Sequence, residues 1–185
     1  MHLEFRLLSY WQVGSGSGTL GTYDSVAARD RQDLPIIPGK QVKGLCRHAV
    51  WQATKIPHLG IPDTMVNTLF GDRTEGGEDE PSPGSLRFTS AKLPRDLRAA
   101  LAGRKDLIAG LFQSRRSTAM TPDGVAKPHS LRFDEVVVPV TLHAEITGDS
   151  KGWEEVLKKA LPLIEAVGSG RTRGMGRVIV TEKSK

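Results

Sequence analysis

Residues 138–182, VPVTLHAEITGDSKGWEEVLKKALPLIEAVGSGRTRGMGRVIVTE, decide which fold the sequence predicts. Apolar and polar residues alternate over 138–146, which indicates a strand with one buried face. After Ser150, the expected N-cap residue, an apolar stripe at helical spacing indicates a helix that Pro162 should kink or restart. A glycine-rich loop and the apolar segment RVIVTE follow. The stretch therefore predicts strand, helix and strand.

The first half of the chain repeats this order. Residues 3–13 alternate as a strand, residues 40–55 have the spacing of a helix with a basic face, and residues 85–93 indicate a short strand. Residues 94–112 have helical spacing and belong to a long insertion between the halves. The whole order predicts an α+β fold, the ferredoxin-like (RRM-like) βαββαβ domain.

Three segments without an apolar face interrupt this pattern, and we expect residues 1–185 to form a single domain around them. A long irregular loop covers 14–38, and an acidic loop rich in glycine and proline covers 71–84. The acidic loop is typical of a solvated segment rather than of a carboxylate metal site. The turn signals TPDG and KPHS predict a protruding hairpin at about 115–137.

The composition limits the classes of function. Lys and Arg number 26 against 21 Asp and Glu, and the net charge of +5 is compatible with a nucleic-acid partner but also common among ordinary soluble proteins. The single cysteine, Cys46, excludes an internal disulfide. The chain has no signal-like start and no apolar run of about 18 residues, so we expect a cytoplasmic protein without a membrane partner.

The histidines do not have the spacing of metal ligands, so no metal motif is predicted from them. They are His2, His48, His58, His129 and His143.

The loop at 168–177 combines glycines with arginines. It does not match the dinucleotide motif G-x-G-x-x-G, because Arg173 stands where the third glycine belongs and the order is helix, loop, strand. A Walker A motif is also absent from the sequence. Flexible backbone beside concentrated positive charge suits a polyanion better than a mononucleotide. The residues concerned are Gly168, Gly170, Arg171, Arg173, Gly174, Gly176 and Arg177.

Three segments in this order resemble the RAMP superfamily of CRISPR-associated proteins, in particular the repeated backbone subunit of type III effector complexes. They are DSVAARDRQDLPIIPGKQVKGLCR at 24–47, SLRFTSAKL at 85–93 and RTRGMGRV at 171–178. Residues 117–146 are similar to the family's thumb hairpin and the strand after it. The resemblance implies a ferredoxin-like domain with a thumb that interrupts a guide–target RNA duplex.

The resemblance also implies a function and partners. Copies of the subunit would stack along a guide (CRISPR) RNA beside other effector subunits, and Asp24 would promote cleavage of complementary target RNA with Mg²⁺ or Mn²⁺. The implied RNA-binding residues are Lys40, Lys43 and Arg47 on the helix and Gly168, Gly170, Arg171, Arg173, Gly174, Gly176 and Arg177 in the loop.

Other interpretations of the same residues stay open. A loop aspartate such as Asp24 is often a turn or capping residue, and Lys43 and Arg47 could simply solvate a helix face. The protein could be a scaffold that binds guide RNA without cleaving. It could also be a metal-independent guide-processing endoribonuclease, for which His48 is the one histidine near the basic helix, although its register is shared with packing residues.

Overall fold

The computed structural model describes residues 1–16, 23–72 and 82–183, and the strands of these residues form two antiparallel sheets. They are β1 (His2–Leu7), β2 (Leu86–Phe88), β3 (Phe112–Ser117), β4 (Arg132–Val137), β5 (Thr141–Gly148) and β6 (Val178–Glu182). Four strands form the main sheet in the order β2-β5-β1-β6, and β3 pairs with β4. The predicted α+β class is confirmed to the extent that the structure mixes helices with antiparallel sheets.

Helices and the main sheet share one hydrophobic core. Within the described ranges the α-helices are α1 (Gly39–Thr54), α2 (Thr64–Phe70), α3 (Arg95–Leu101), α4 (Lys105–Ala109) and α5 (Trp153–Ala160). Side chains alternate in β1, so Leu3, Phe5 and Leu7 are buried. They join the same core as the apolar faces of α1 and α5, which pack against each other.

The helix predicted at 40–55 is confirmed as α1. Its apolar positions recur every three or four residues, and the side chains at these positions are buried. They are Val42, Cys46, Ala49, Val50 and Ala53. On the opposite side of the helix Lys40 is exposed, whereas Lys43 and Arg47 are half-buried.

The first predicted strand is shorter than expected. Pairing in β1 ends at Leu7, although Trp11 and Val13 are buried as the alternation predicted. Beyond Leu7 the chain turns away from β5, and the backbone of Trp11 exchanges two hydrogen bonds with that of Val137 in β4. The apolar pattern is therefore maintained by contact with the second sheet.

The continuous helix predicted over 94–112 is wrong. Helix α3 ends at Leu101, and Gly103 has a φ of +74°, outside the helical region. The short α4 follows, and β3 already begins at Phe112. Two short helices therefore replace one long helix.

The predicted helix after Ser150 is present as α5, with a different N-cap. Gly152 occupies the N-cap position, and the Ser150 hydroxyl instead shares a hydrogen bond of 2.9 Å with that of Ser85. The expected effect of Pro162 is confirmed, because α5 ends at Ala160 and a 3₁₀ turn covers Leu161–Leu163.

The hairpin predicted at about 115–137 lies where β3 pairs with β4. The register of this pair runs from Phe112 opposite Val137 to Ser117 opposite Arg132. Residues 118–131 join the two strands and are mostly exposed. Of the predicted acidic loop, residues 73–81 lie outside the described residues, as do residues 17–22 of the long loop. In the ranges described, no helix has both the length and the apolar content needed to cross a bilayer.

Candidate nucleic-acid interface

An open cleft of about 830 Å³ lies between the long loop, the first half of α1 and the glycine-rich loop. It brings together four of the residues singled out in three separate segments of the sequence: Asp24, Lys40, Gly168 and Arg171. The side chains of the aspartate, the lysine and the arginine are exposed. His48 lines the same cleft. The fold therefore places one carboxylate beside two cations and a glycine backbone.

Asp24 is held by two hydrogen bonds to β4, the second strand of the hairpin. Its backbone N–H donates to the carbonyl oxygen of Phe133 at 2.8 Å, and the Phe133 N–H donates to Asp24 Oδ2 at 2.8 Å. One carboxylate oxygen thus has the structural role expected of a loop aspartate. The side chain is nevertheless exposed in the cleft, which leaves it accessible to a ligand.

A buried carboxylate anchors the same loop to β4. The Glu135 side chain is 7% exposed, and its Oε2 accepts a hydrogen bond from the Ala27 N–H at 3.1 Å. Its Oε1 lies 2.6 Å from Arg29 Nη2, and the guanidinium of Arg29 lies 3.5 Å from the ring centroid of Phe112. A buried carboxylate requires such partners. This contact holds the loop that carries Asp24 against both strands of the hairpin.

Gln12 connects the long loop to the glycine-rich loop. It is 3% exposed, and its Nε2 donates to Ser25 Oγ at 2.8 Å. Its Oε1 accepts a hydrogen bond from Ser169 Oγ at 2.8 Å, and its carbonyl oxygen accepts one from the Ser169 N–H at 2.8 Å. Sequence reasoning missed Gln12 and Glu135. The available signal was a polar residue between two apolar ones in WQV and an acidic residue directly before an apolar run in DEVVV.

Two glycines of the loop are required by close packing of backbone on backbone. Gly168 has a φ of +77°, and a Cβ there would overlap the carbonyl oxygen of Gln12. Gly176 has a φ of +68°, and a Cβ there would overlap the carbonyl oxygen of Val167. Gly174 also has a positive φ, but open space surrounds its Cβ position. The shape of the loop therefore depends on the first two positions.

The cations of the candidate interface have no carboxylate partner among residues 1–16, 23–72 and 82–183. Within the described part of the chain, no carboxylate lies within ion-pair distance of any of them. These cations are Lys40, Lys43, Arg47, Arg171, Arg173 and Arg177. The three arginines of the loop are also exposed. Positive charge that the described carboxylates do not neutralise is available to a polyanion.

The basic residues of α1 do not all face the cleft. Lys43 is half-buried, whereas Arg47 faces a second groove, between α1 and α2. There its Nη1 donates to the Gly71 carbonyl oxygen at 2.6 Å and its Nη2 to Asn67 Oδ1 at 3.2 Å. The expectation that His48 shares the packing register is wrong, because its side chain is exposed.

The described residues offer one carboxylate to a metal in the cleft. They contain no group of three His, Cys, Asp or Glu side chains arranged to hold an ion, and Asp24 is the one acidic residue that lines the cleft. Magnesium in phosphoryl-transfer sites commonly takes one or two carboxylates, with phosphate oxygens and water as the other ligands. This donor set is compatible with a divalent cation whose other ligands are phosphate oxygens and water.

Comparison with known proteins identifies the family. The fold is similar to a chain in the cryo-EM structure of the type III-B Cmr-beta bound to cognate target RNA, with a TM-score of 0.72 and 11% identity over 97% of this chain and 95% of that chain. A chain of the type III-B Cmr-beta in its apo state gives a TM-score of 0.67 with the same identity and coverage. No curated protein matches the sequence. The model of the RAMP superfamily matches residues 4–179, and the chain therefore belongs to the RAMP superfamily.

Proposed function

We propose that the protein is a guide-RNA-binding backbone subunit of a CRISPR type III effector ribonucleoprotein that cleaves complementary target RNA in the cytoplasm. The observation that carries this proposal is the cleft in which Asp24 lies beside Lys40, Arg171 and the backbone of Gly168. Membership of the RAMP superfamily and the fold shared with chains of the Cmr-beta support it. Its partners would be guide RNA, target RNA, further copies of itself and other effector subunits.

We infer that the main sheet is ferredoxin-like. The two strand–helix–strand units β1-α1-β2 and β5-α5-β6 supply its four strands, and the first strands of the two units, β1 and β5, lie adjacent at its centre. That arrangement supports the ferredoxin-like interpretation.

The β3–β4 hairpin would be the thumb. The segment that connects its two strands exposes three large apolar side chains: Met120, Val125 and Leu131. Apolar side chains of this kind separate stacked bases when they are inserted between them. This property supports a role in interrupting the guide–target duplex.

Guide RNA would bind mainly through its phosphates. The uncompensated charges of Lys40, Arg171 and Arg173 attract the RNA backbone and release its counterions. Lys43 and Arg177 add charge nearby, and the glycine backbone, including Gly170 and Gly174, admits close approach of the sugar-phosphate chain. None of these contacts reads a base, so base pairing with the guide would provide the sequence specificity.

Asp24 would carry the chemistry of cleavage. Its carboxylate can accept the proton of a ribose 2′-hydroxyl as that oxygen attacks the adjacent phosphorus, and the bond from phosphorus to the 5′-oxygen then breaks. The 5′-oxygen leaves as a hydroxyl after it takes up a proton. The Phe133 N–H orients the carboxylate, and Lys40 and Arg171 hold the phosphate. Bound Mg²⁺ or Mn²⁺ would stabilise the negative charge on the phosphate oxygens.

Substitution of Asp24 tests the proposal directly. In the guide-loaded protein, Asp24→Ala should reduce cleavage of paired target RNA in Mg²⁺ or Mn²⁺ to background while guide and target affinity stay within a few-fold, because a lost negative charge cannot weaken phosphate attraction. Asp33 is an exposed aspartate of the same loop, so Asp33→Ala is the matched control, and this variant should still cut target RNA. Equal cleavage by Asp24→Ala and wild type would refute the catalytic role.

Two other functions are separated by the same assay. A scaffold subunit would bind guide and target RNA without cutting in any divalent ion. A guide-processing endoribonuclease would cut RNA in EDTA, and its His48→Ala variant would lose activity. The exposure of His48 in the Asp24 cleft favours this function as the second candidate. Resistance of cleavage to EDTA would therefore replace the aspartate-based mechanism with a histidine-based one.

A further inference from the structure

We infer that His48 and Trp51 on α1 form a stacking platform for a nucleobase of single-stranded RNA, an inference that rests on the proposed function and extends its RNA path. The rings are stacked, with centroids 5.6 Å apart and planes inclined by 23°. Trp51 is 49% exposed, whereas the other tryptophans, Trp11 and Trp153, are buried. An aromatic face left in water is the surface on which single-stranded bases stack.

The platform lies in the second groove, between α1 and α2, which has a volume of about 620 Å³. Lys55 and Asp63 in this groove neutralise each other, with Nζ and Oδ1 3.0 Å apart. Arg47 donates to the neutral acceptors Gly71 O and Asn67 Oδ1, so its charge stays uncompensated by the described carboxylates. A nucleotide in the groove would thus meet an aromatic face and a fixed cation for its phosphate.

The groove adjoins the Asp24 cleft. Gly44 and His48 line both spaces. Glycine destabilises a helix interior relative to alanine, yet a Cβ at Gly44 would meet no atom within 4 Å. The packing of the described residues therefore gives no reason for glycine here. Because Gly44 has no side chain, the surface of α1 is low at this point, and an RNA strand can cross the helix here from Asp24 to Trp51.

Two features favour RNA over a protein segment as the occupant of the groove: the groove adjoins the Asp24 cleft, and Arg47 supplies positive charge. An RNA strand bound at Lys40 would reach His48 within the same cleft, and the uncompensated charge of Arg47 suits the next phosphate. A peptide without acidic side chains that docked on Trp51 would gain from the apolar surface but would not neutralise the charge of Arg47. The two occupants respond differently to added RNA, so one experiment distinguishes them.

Tryptophan fluorescence tests the platform, because Trp51 is the exposed indole and nucleobase stacking quenches indole emission. Adding a mixed-sequence single-stranded RNA of about 12 nucleotides to the purified protein should quench emission saturably and shield it from acrylamide. Trp51→Ala should bind this RNA about tenfold more weakly, whereas Trp51→Phe, which keeps an aromatic face, should bind within about threefold. Binding is measured independently by anisotropy of labelled RNA.

The control variants separate this inference from the proposed function. Leu107→Ala, an exposed apolar residue on α4, should change neither affinity nor quenching. Asp24→Ala should lose cleavage but keep the full fluorescence response. If anisotropy shows binding while emission stays constant, or if Trp51→Ala binds as tightly as wild type, the platform is refuted and the proposed function stands.

Two further outcomes would overturn the inference in other ways. An emission change on concentrating the RNA-free protein would show that another copy of the chain covers Trp51. Absence of any RNA binding by the wild-type protein would refute both the platform and the proposed function.

Discussion

The backbones of Asp24 and Phe133 are joined at 2.8 Å, and a second hydrogen bond of 2.8 Å connects the Phe133 N–H to the carboxylate of Asp24. The candidate catalytic group is therefore attached to the first residues of β4. Arg29 and Glu135 fasten the same loop further along that strand. Because the loop and the hairpin share these contacts, the position of Asp24 depends on the position of the hairpin.

The loop arginines should provide salt-dependent affinity without base preference. Arg171→Ala combined with Arg173→Ala should weaken RNA binding across sequences and flatten the plot of log affinity against log salt by about 0.7 for each lost phosphate contact. Titrations by anisotropy at several salt concentrations measure this slope. Arg104→Ala with Lys105→Ala removes the same charge near α4 and should leave the slope unchanged. Equal slopes for both double variants would assign the loop arginines to the solvated surface.

Gln12 should be required for both stability and cleavage. Gln12→Leu leaves the hydroxyls of Ser25 and Ser169 without their shared partner, which should cost about 1–3 kcal/mol in the free energy of unfolding. Target cleavage should fall because Ser25 adjoins Asp24. Urea denaturation and a cleavage assay measure the two effects, with the exposed Gln113→Leu as control. A fully stable Gln12→Leu protein would show that the link between the loops is energetically unimportant.

The two kinds of glycine in the loop should differ in their tolerance of alanine. Gly174→Ala should cost about 1–2 kcal/mol, because only the left-handed backbone conformation opposes it. Gly176→Ala should cost roughly 3 kcal/mol or more, since its Cβ would also overlap the Val167 carbonyl oxygen. Thermal or urea unfolding of the two variants measures the difference. Similar losses would mean that the backbone around Val167 shifts freely.

The thiol of Cys46 should be inert in the folded protein. Burial raises its pKa to about 12 from the ordinary value of 9.0, because the thiolate is poorly solvated there. The folded state thus holds its proton more tightly than the unfolded state, so this contribution to stability is complete below pH 9 and is lost as pH rises from 9 to 12. Iodoacetamide at pH 8 should label Cys46 only in denaturant. Rapid labelling of the native protein would contradict this expectation.

The sequence predicted those elements whose side-chain periodicity is maintained by their own neighbours. The buried face of α1 follows from the spacing of Val42, Cys46, Ala49 and Ala53 alone. Periodicity could not locate the end of β1, since Trp11 remains buried through contact with a distant strand. It also could not separate α3 from α4, because the apolar spacing does not show that the backbone leaves the helical region at Ala102, Gly103 and Arg104.

The candidate site was predictable in part. Motifs in separate segments singled out Asp24, Lys40 and Arg171, which line one cleft. The residues that hold the cleft together were missed, because Gln12 and Glu135 find their partners only after the chain has folded.

The close backbone packing at Gly168 and Gly176 affects the conformational entropy that the glycine-rich loop would lose on binding RNA. The loop backbone is held between carbonyl oxygens of its own chain, so its conformation is set before RNA arrives. Ordering a flexible segment on binding costs about 1–2 kcal/mol for each residue that is fixed. A loop shaped in advance avoids that cost, so under the proposed function each copy would bind guide RNA as a preformed part.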